Sequence, residues 1–69
     1  MLNIKEKPIA KKHCDEFAAA EYLDVSVATL RDWRFHKTGP IYCKFGKAVR
    51  YNLDELTKFA EQSKVPMAA

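Results

Sequence analysis

The chain has 69 residues, 48% of them hydrophobic and 30% charged, with a formal net charge of +3. That length allows one small domain with a modest core, and so large an apolar share excludes a disordered chain. The positive balance favours anionic partners such as nucleic acid. No apolar run approaches the ~20 residues of a membrane span, and no signal-peptide core follows Met1, so a cytoplasmic protein without membrane contact is expected.

Residues 1–13, "MLNIKEKPIAKKH", place Lys5, Lys7, Lys11 and Lys12 around Pro8 with little periodicity. They read as a flexible basic arm, either solvated or laid along a phosphate backbone. Asp15 then opens a helix as its N-cap. Glu16 adds favourable charge to the first turn, and Cys14 packs ahead of it as an apolar staple. Phe17, Ala19, Ala20 and Leu23 recur at helical spacing and are expected to face inward. Asp24 ends the helix in place of the usual glycine, since Asp tolerates the left-handed conformation better than most residues.

Ser26 caps a second helix from Val27 to about Phe35. Val25, Leu30 and Trp33 are expected inward, with Val27, Ala28, Arg31, Asp32 and Arg34 outward. His36-Lys37-Thr38-Gly39-Pro40 breaks the helix. Two helices joined so abruptly form a helix-turn-helix unit.

A hairpin follows. "IYCKF" and "VRY" are rich in β-branched and aromatic residues, and Gly46-Lys47 between them suits a two-residue turn with glycine first. Ile41, Cys43 and Phe45 share one face, while Tyr42 and Lys44 share the other. Asn52 caps a last helix, with Glu55 as its capping-box partner and Leu53, Leu56 and Phe59 as its apolar face. Pro66 forbids continuation, leaving residues 64–69 as a flexible tail. The folded domain is thus expected over residues 14–63.

Catalysis and metal binding find no support. Adjacent His13 and Cys14, with His36 and Cys43 far off, do not match zinc-ligand spacing, and Cys14 and Cys43 read as free thiols. With only Gly39 and Gly46 in the chain there is no phosphate-cradling loop, and no nucleophile carries a local signature. Neither an enzyme nor a cofactor is expected.

The order helix, turn, helix, β-hairpin, helix predicts a small α+β domain, a winged helix-turn-helix with a two-stranded wing. Its second helix suits a major groove roughly 12 Å wide, and its basic hairpin suits the neighbouring backbone or minor groove. Arg31 and Arg34 are the candidate groove residues. Ser26, Val27, Ala28 and Thr29 stand at the helix start, where Val27 and Ala28 are small enough to touch a thymine methyl. Lys44, Lys47 and Arg50 on the wing would contact phosphates, which position a protein without reading sequence. Trp33 reads as core, and the Tyr42 and Tyr51 rings as hairpin packing.

"AAAEYLDVSVATLRDWR", then "GP" and "KFGKAVRYNLDEL", resembles the MerR-like winged helix-turn-helix domain of excisionases and AlpA-type phage regulators. The likeness spans about residues 14–62 and rests on the pairing of "VS..TL..WR" with "G..VRY...L". The chain departs from that pattern in three places. Asp24 stands for a glycine, Val27 and Ala28 for polar residues, and Phe59 for a tryptophan. The resemblance implies a double-stranded DNA partner and protomers aligned on repeated sites that bend DNA and help a tyrosine integrase excise a mobile element. A small AlpA-type transcriptional regulator is the alternative, and a protein-interaction adaptor on the same fold is a third reading. With no dimerisation helix or sensor evident, a monomer free in solution is expected.

Overall fold

The computed structural model describes residues 12–67. Within them the elements run β1 (His13–Cys14), α1 (Glu16–Leu23), α2 (Val27–Phe35), β2 (Tyr42–Phe45), β3 (Ala48–Asn52) and α3 (Leu53–Gln62). This is a small α+β fold consistent with a winged helix-turn-helix, as expected from the order of elements.

The sheet holds one strand more than the sequence suggested. β1 pairs antiparallel with β3, giving a three-stranded order β1-β3-β2. His13 lies opposite Asn52 and Cys14 opposite Tyr51, while Leu53 N–H donates to the Lys12 carbonyl at 2.9 Å. Lys12 and His13 therefore belong to the fold and not to an arm; residues 1–11, the rest of that arm, lie outside the described residues. Beyond α3, residues 64–67 run on without helix or strand, and residues 68–69 of the expected tail lie outside the description.

The helix ends follow local chemistry. Asp15 Oδ1 accepts from Ala18 N–H at 2.9 Å, and Ser26 Oγ accepts from Thr29 N–H at 3.0 Å. Asn52 Oδ1 accepts from both Asp54 N–H and Glu55 N–H, at 2.8 and 3.2 Å. Each satisfies donors that the helix start leaves without an intrahelical partner. The expected return bond from Glu55 does not form; its carboxylate lies 4.0 Å from Lys58 Nζ, one helical turn ahead. Asp24 sits in the left-handed region at φ 57°, and its N–H closes back onto the end of α1. This makes the turn into α2 tight, because only two residues, Val25 and Ser26, then separate Asp24 from α2.

The core gathers Cys14, Ala19, Ala20, Leu30, Tyr51 and Leu56, with Leu23, Val25, Val27, Trp33, Val49 and Leu53 packed around it. Small side chains at Ala19 and Ala20 let α1 pack against both α2 and α3. Trp33 stacks tilted on Phe59, their ring centroids 5.3 Å apart; it packs against the core from its edge, partly buried and not enclosed within it. Gly39 closes the same corner at φ +82°, and a Cβ there would lie 2.8 Å from the Trp33 side chain.

Three inward or outward assignments differ from expectation. Phe17 is 61% exposed, because the inner stripe of α1 runs Glu16, Ala19, Ala20, Leu23 at i, i+3, i+4 and i+7, and Phe17 lies off it. Val27 packs against the core, since i, i+3 and i+6 spacing sets it on the side of Leu30 and Trp33. Arg34 turns inward, its side chain only 18% exposed.

The hairpin has the expected turn. Phe45 pairs with Ala48 across Gly46-Lys47, and Gly46 at φ 65° supplies the positive φ needed at the first position of a type II′ turn. Its face assignment has a consequence that apolar content alone hides. Tyr42 lies opposite Tyr51 and Lys44 opposite Val49, so the Tyr42–Lys44 side is the one that meets the core. The more apolar side, with Ile41 and Phe45 exposed, faces away from it.

Candidate nucleic-acid interface

The exposed side of α2 is a single stripe. Ala28, Arg31, Asp32 and Phe35 are all exposed and follow one another at i, i+3, i+4 and i+7. Nine residues of helix span about 13 Å, close to the width of a major groove. Phe35, at 80% exposed, ends the stripe. Its ring stands edge-on to His36 at 5.1 Å, and His36 Nδ1 lies 3.3 Å from the Asp32 carboxylate.

At the start of α2, Ser26 and Thr29 are tied to each other, Oγ to Oγ1 at 2.9 Å. Ser26 is exposed and Thr29 half-buried, so both hydroxyls remain at the surface while serving the cap. Of the four small residues named from sequence at this end, Val27 is withdrawn into the core and Ala28 alone projects as a bare methyl.

The two arginines are brought together by a residue that local reading assigned only to the charge of the first helical turn. Glu16, on the inner stripe of α1, receives Arg31 through two bonds: Nε to Oε1 at 3.1 Å and Nη2 to Oε2 at 2.6 Å. Arg34 Nη2 donates to the same Oε1 at 3.1 Å, and its Nη1 donates to the Tyr51 hydroxyl at 2.8 Å. The Arg34 guanidinium also lies 5.7 Å from the Tyr42 ring centroid, within cation–π range. Arg34 is therefore a latch between α1, α2 and the sheet, whereas Arg31 stays 58% exposed.

The electrostatics agree with that geometry. Hydrogen bonds from Arg31 pull the Glu16 carboxyl below its ordinary range; partial burial opposes this and Arg34 adds to it. Arg31 is held above its ordinary value by the hydrogen bond to Glu16. For Arg34, burial works against the charge, but the Tyr51 hydroxyl and Glu16 outweigh it and the net shift is upward. The cluster of two guanidiniums and one carboxylate thus carries one net positive charge.

The wing holds its cations differently. Lys44 and Lys47 are exposed and form no ion pair within the described residues. Arg50 is half-buried and donates from Nη1 to the Val49 carbonyl at 2.8 Å. Register splits the three: Arg50 stands opposite Cys43 on the outward face, Lys44 opposite Val49 on the core side, and Lys47 occupies the turn. A shallow cleft separates this wing from the start of α1, lined by Glu16, Phe17, Arg34, Lys47 and Arg50 among others. The cleft's walls hold Arg34 of α2 and Lys47 and Arg50 of the wing together with the carboxylates of Asp15 and Glu16, so cations of both elements meet there beside two acidic groups.

The sequence profile of the helix-turn-helix domain family matches residues 18–64, a stretch that runs from α1 through both wing strands to just past α3. The chain belongs to this helix-turn-helix domain family. It is a DNA-binding helix-turn-helix protein. No curated protein matches the chain at a significant level. Among the described residues, no helix is long and apolar enough to cross a membrane, and no group of three His, Cys, Asp or Glu side chains is arranged to hold a metal ion.

Two residues of this helix-turn-helix surface were not singled out from sequence. Phe35 carried a legible signal, since it stands at i+7 from Ala28 on the exposed stripe. Glu16 carried none, because it lies 15 residues from Arg31 and 18 from Arg34 along the chain.

Proposed function

We propose that the protein binds duplex DNA sequence-specifically through α2 and acts as an excisionase, a recombination directionality factor for a mobile element. The observation that carries the DNA-binding part is the exposed α2 stripe with Arg31 at its centre, set beside a wing whose lysines are unpaired. Arg31, Ala28 and the surface hydroxyls of Ser26 and Thr29 face the groove; Lys44, Lys47 and Arg50 meet phosphates. Arg34 acts from behind, by fixing the helix to the sheet.

The excisionase reading rests on the MerR-like resemblance of the "VS..TL..WR" and "G..VRY...L" segments together with the size of the interface. A single module of this kind buries roughly 600–1,000 Å² on DNA, which is modest for tight specific binding. Copies on adjacent sites supply the missing affinity, and a row of them bends the duplex and presents it to a tyrosine integrase. The AlpA-type regulator is the second reading, supported by the same face.

Gel shifts on duplexes with one site, two sites in phase, and two sites offset by about half a helical turn separate these readings. The excisionase reading expects cooperative binding only on the in-phase pair. Equal affinity per protomer on all three leaves the simple regulator.

A further inference from the structure

An arginine that reads guanine needs two donors aimed together at O6 and N7. A guanidinium offers two such edges: the side edge, Nε with Nη2, and the end edge, Nη1 with Nη2. In Arg31 the side edge is taken by both Glu16 oxygens, and no described residue takes Nη1. The end edge is left facing solvent on the α2 stripe. The carboxylate that holds it is itself fixed, because Arg34 shares Oε1 and is anchored in turn on the buried Tyr51 hydroxyl.

We infer that Glu16 is the specificity-determining positioning residue of the DNA interface: it fixes Arg31 end-on for one guanine and keeps both arginines from binding phosphate indiscriminately. This rests on the DNA-binding reading above. Two physical effects follow from one carboxylate. Fixing the side chain removes the rotamer entropy that a free arginine loses on meeting a base. Placing a negative charge beside the groove weakens binding to any duplex through the phosphates, while a correctly placed guanine still finds the end edge waiting. Discrimination rises because the non-specific state is disfavoured more than the specific one.

The test starts from a duplex selected by the wild-type protein from a randomised library, compared with a scrambled duplex. Glu16→Gln keeps the side chain's shape but removes its charge and one acceptor. It is expected to bind scrambled duplex more tightly, with the log–log salt slope steeper by about one unit. Its selected-to-scrambled ratio is expected to fall at least about fivefold, the lower edge of one bidentate arginine–guanine contact. In an Arg31→Ala background, Glu16→Gln should leave the ratio unchanged. Glu16→Asp keeps the charge but is one methylene too short to span both arginines; it should lower the ratio with little change in salt slope. It also serves as the second probe should Glu16→Gln melt early. Replacing guanines of the site one at a time by 7-deazaguanine should find one position that costs the wild type and not Arg31→Ala.

A folded Glu16→Gln or Glu16→Asp protein that keeps the wild-type ratio overturns the inference while leaving the DNA-binding reading intact. The same drop with and without Arg31 overturns it too. A wild-type protein with no sequence preference overturns both.

Discussion

The two halves of the proposed DNA interface hold positive charge in opposite ways. On α1 and α2, each guanidinium is fixed: Arg31 by two bonds to Glu16, Arg34 by Glu16 and Tyr51. On the wing, Lys44 and Lys47 end in solvent. A fixed planar donor suits one base edge, whereas a mobile ammonium suits a phosphate wherever it lies. On the proposed reading, direct readout therefore falls to Arg31, with Arg34 holding the helix in place, and sequence-independent affinity falls to the hairpin.

The helical half depends on its packing, and the largest effect is expected there. Leu30 is fully buried beneath the α2 stripe, so Leu30→Ala should cost about 2–5 kcal/mol. A domain this small has little margin to lose. Thermal or urea melting should show it largely unfolded; a near wild-type melt would mean that the helix is held by something other than its core face. Gly39→Ala comes next. It places a Cβ 2.8 Å from Trp33 at a φ of +82°, and the backbone strain alone is worth about 1–3 kcal/mol. Melting should drop while the DNA salt slope stays put.

A smaller effect sharpens the other half. Lys47→Ala should weaken binding to all duplexes alike and reduce the salt slope by about one unit, without a change in melting temperature. If Lys47→Ala instead shifts sequence preference, the wing reads bases and the contrast fails.

The smallest expected effect is a pH dependence. Arg31, then Arg34, lower the Glu16 pKa in the folded protein. A carboxylate with a folded pKa below its unfolded value stabilises the protein above the unfolded value, about 4.3 for Glu, and loses that contribution as pH falls through the folded one. Wild type should therefore lose stability between about pH 4.3 and lower pH more steeply than Glu16→Gln. Parallel curves would show that the cluster does not link α1 to α2 energetically.

Legibility in the sequence followed the range of the forces involved. The caps at Asp15, Ser26 and Asn52, the left-handed Asp24 and the Gly46 turn were readable because each is decided by atoms within three or four residues. The strand at His13–Cys14 was not, because two residues carry no alternation and their partners lie almost forty positions ahead in β3. Phe17 was misplaced because apolarity is a poor guide to phase on a short helix; Val27 was misplaced for the opposite reason, its spacing to Leu30 and Trp33 having been given less weight than its place at the helix start. Glu16 occupies the inner stripe that Phe17 was expected to fill, and it does so because two distant arginines neutralise it there. Of the site, Ala28, Arg31, Lys44 and Lys47 were found exposed as expected, while Arg34 was not, since its hydroxyl partner belongs to another element.

Whether α2 reads sequence and the wing does not is decided by one measurement. The ratio of affinities for a selected and a scrambled duplex should be determined for wild type, Arg31→Ala and Lys47→Ala at several salt concentrations. Arg31→Ala is expected to lower the ratio by about 1–3 kcal/mol with a small drop in melting temperature from the lost pair with Glu16, and Lys47→Ala to keep the ratio while losing affinity for both duplexes. A ratio that survives Arg31→Ala intact would contradict readout by α2.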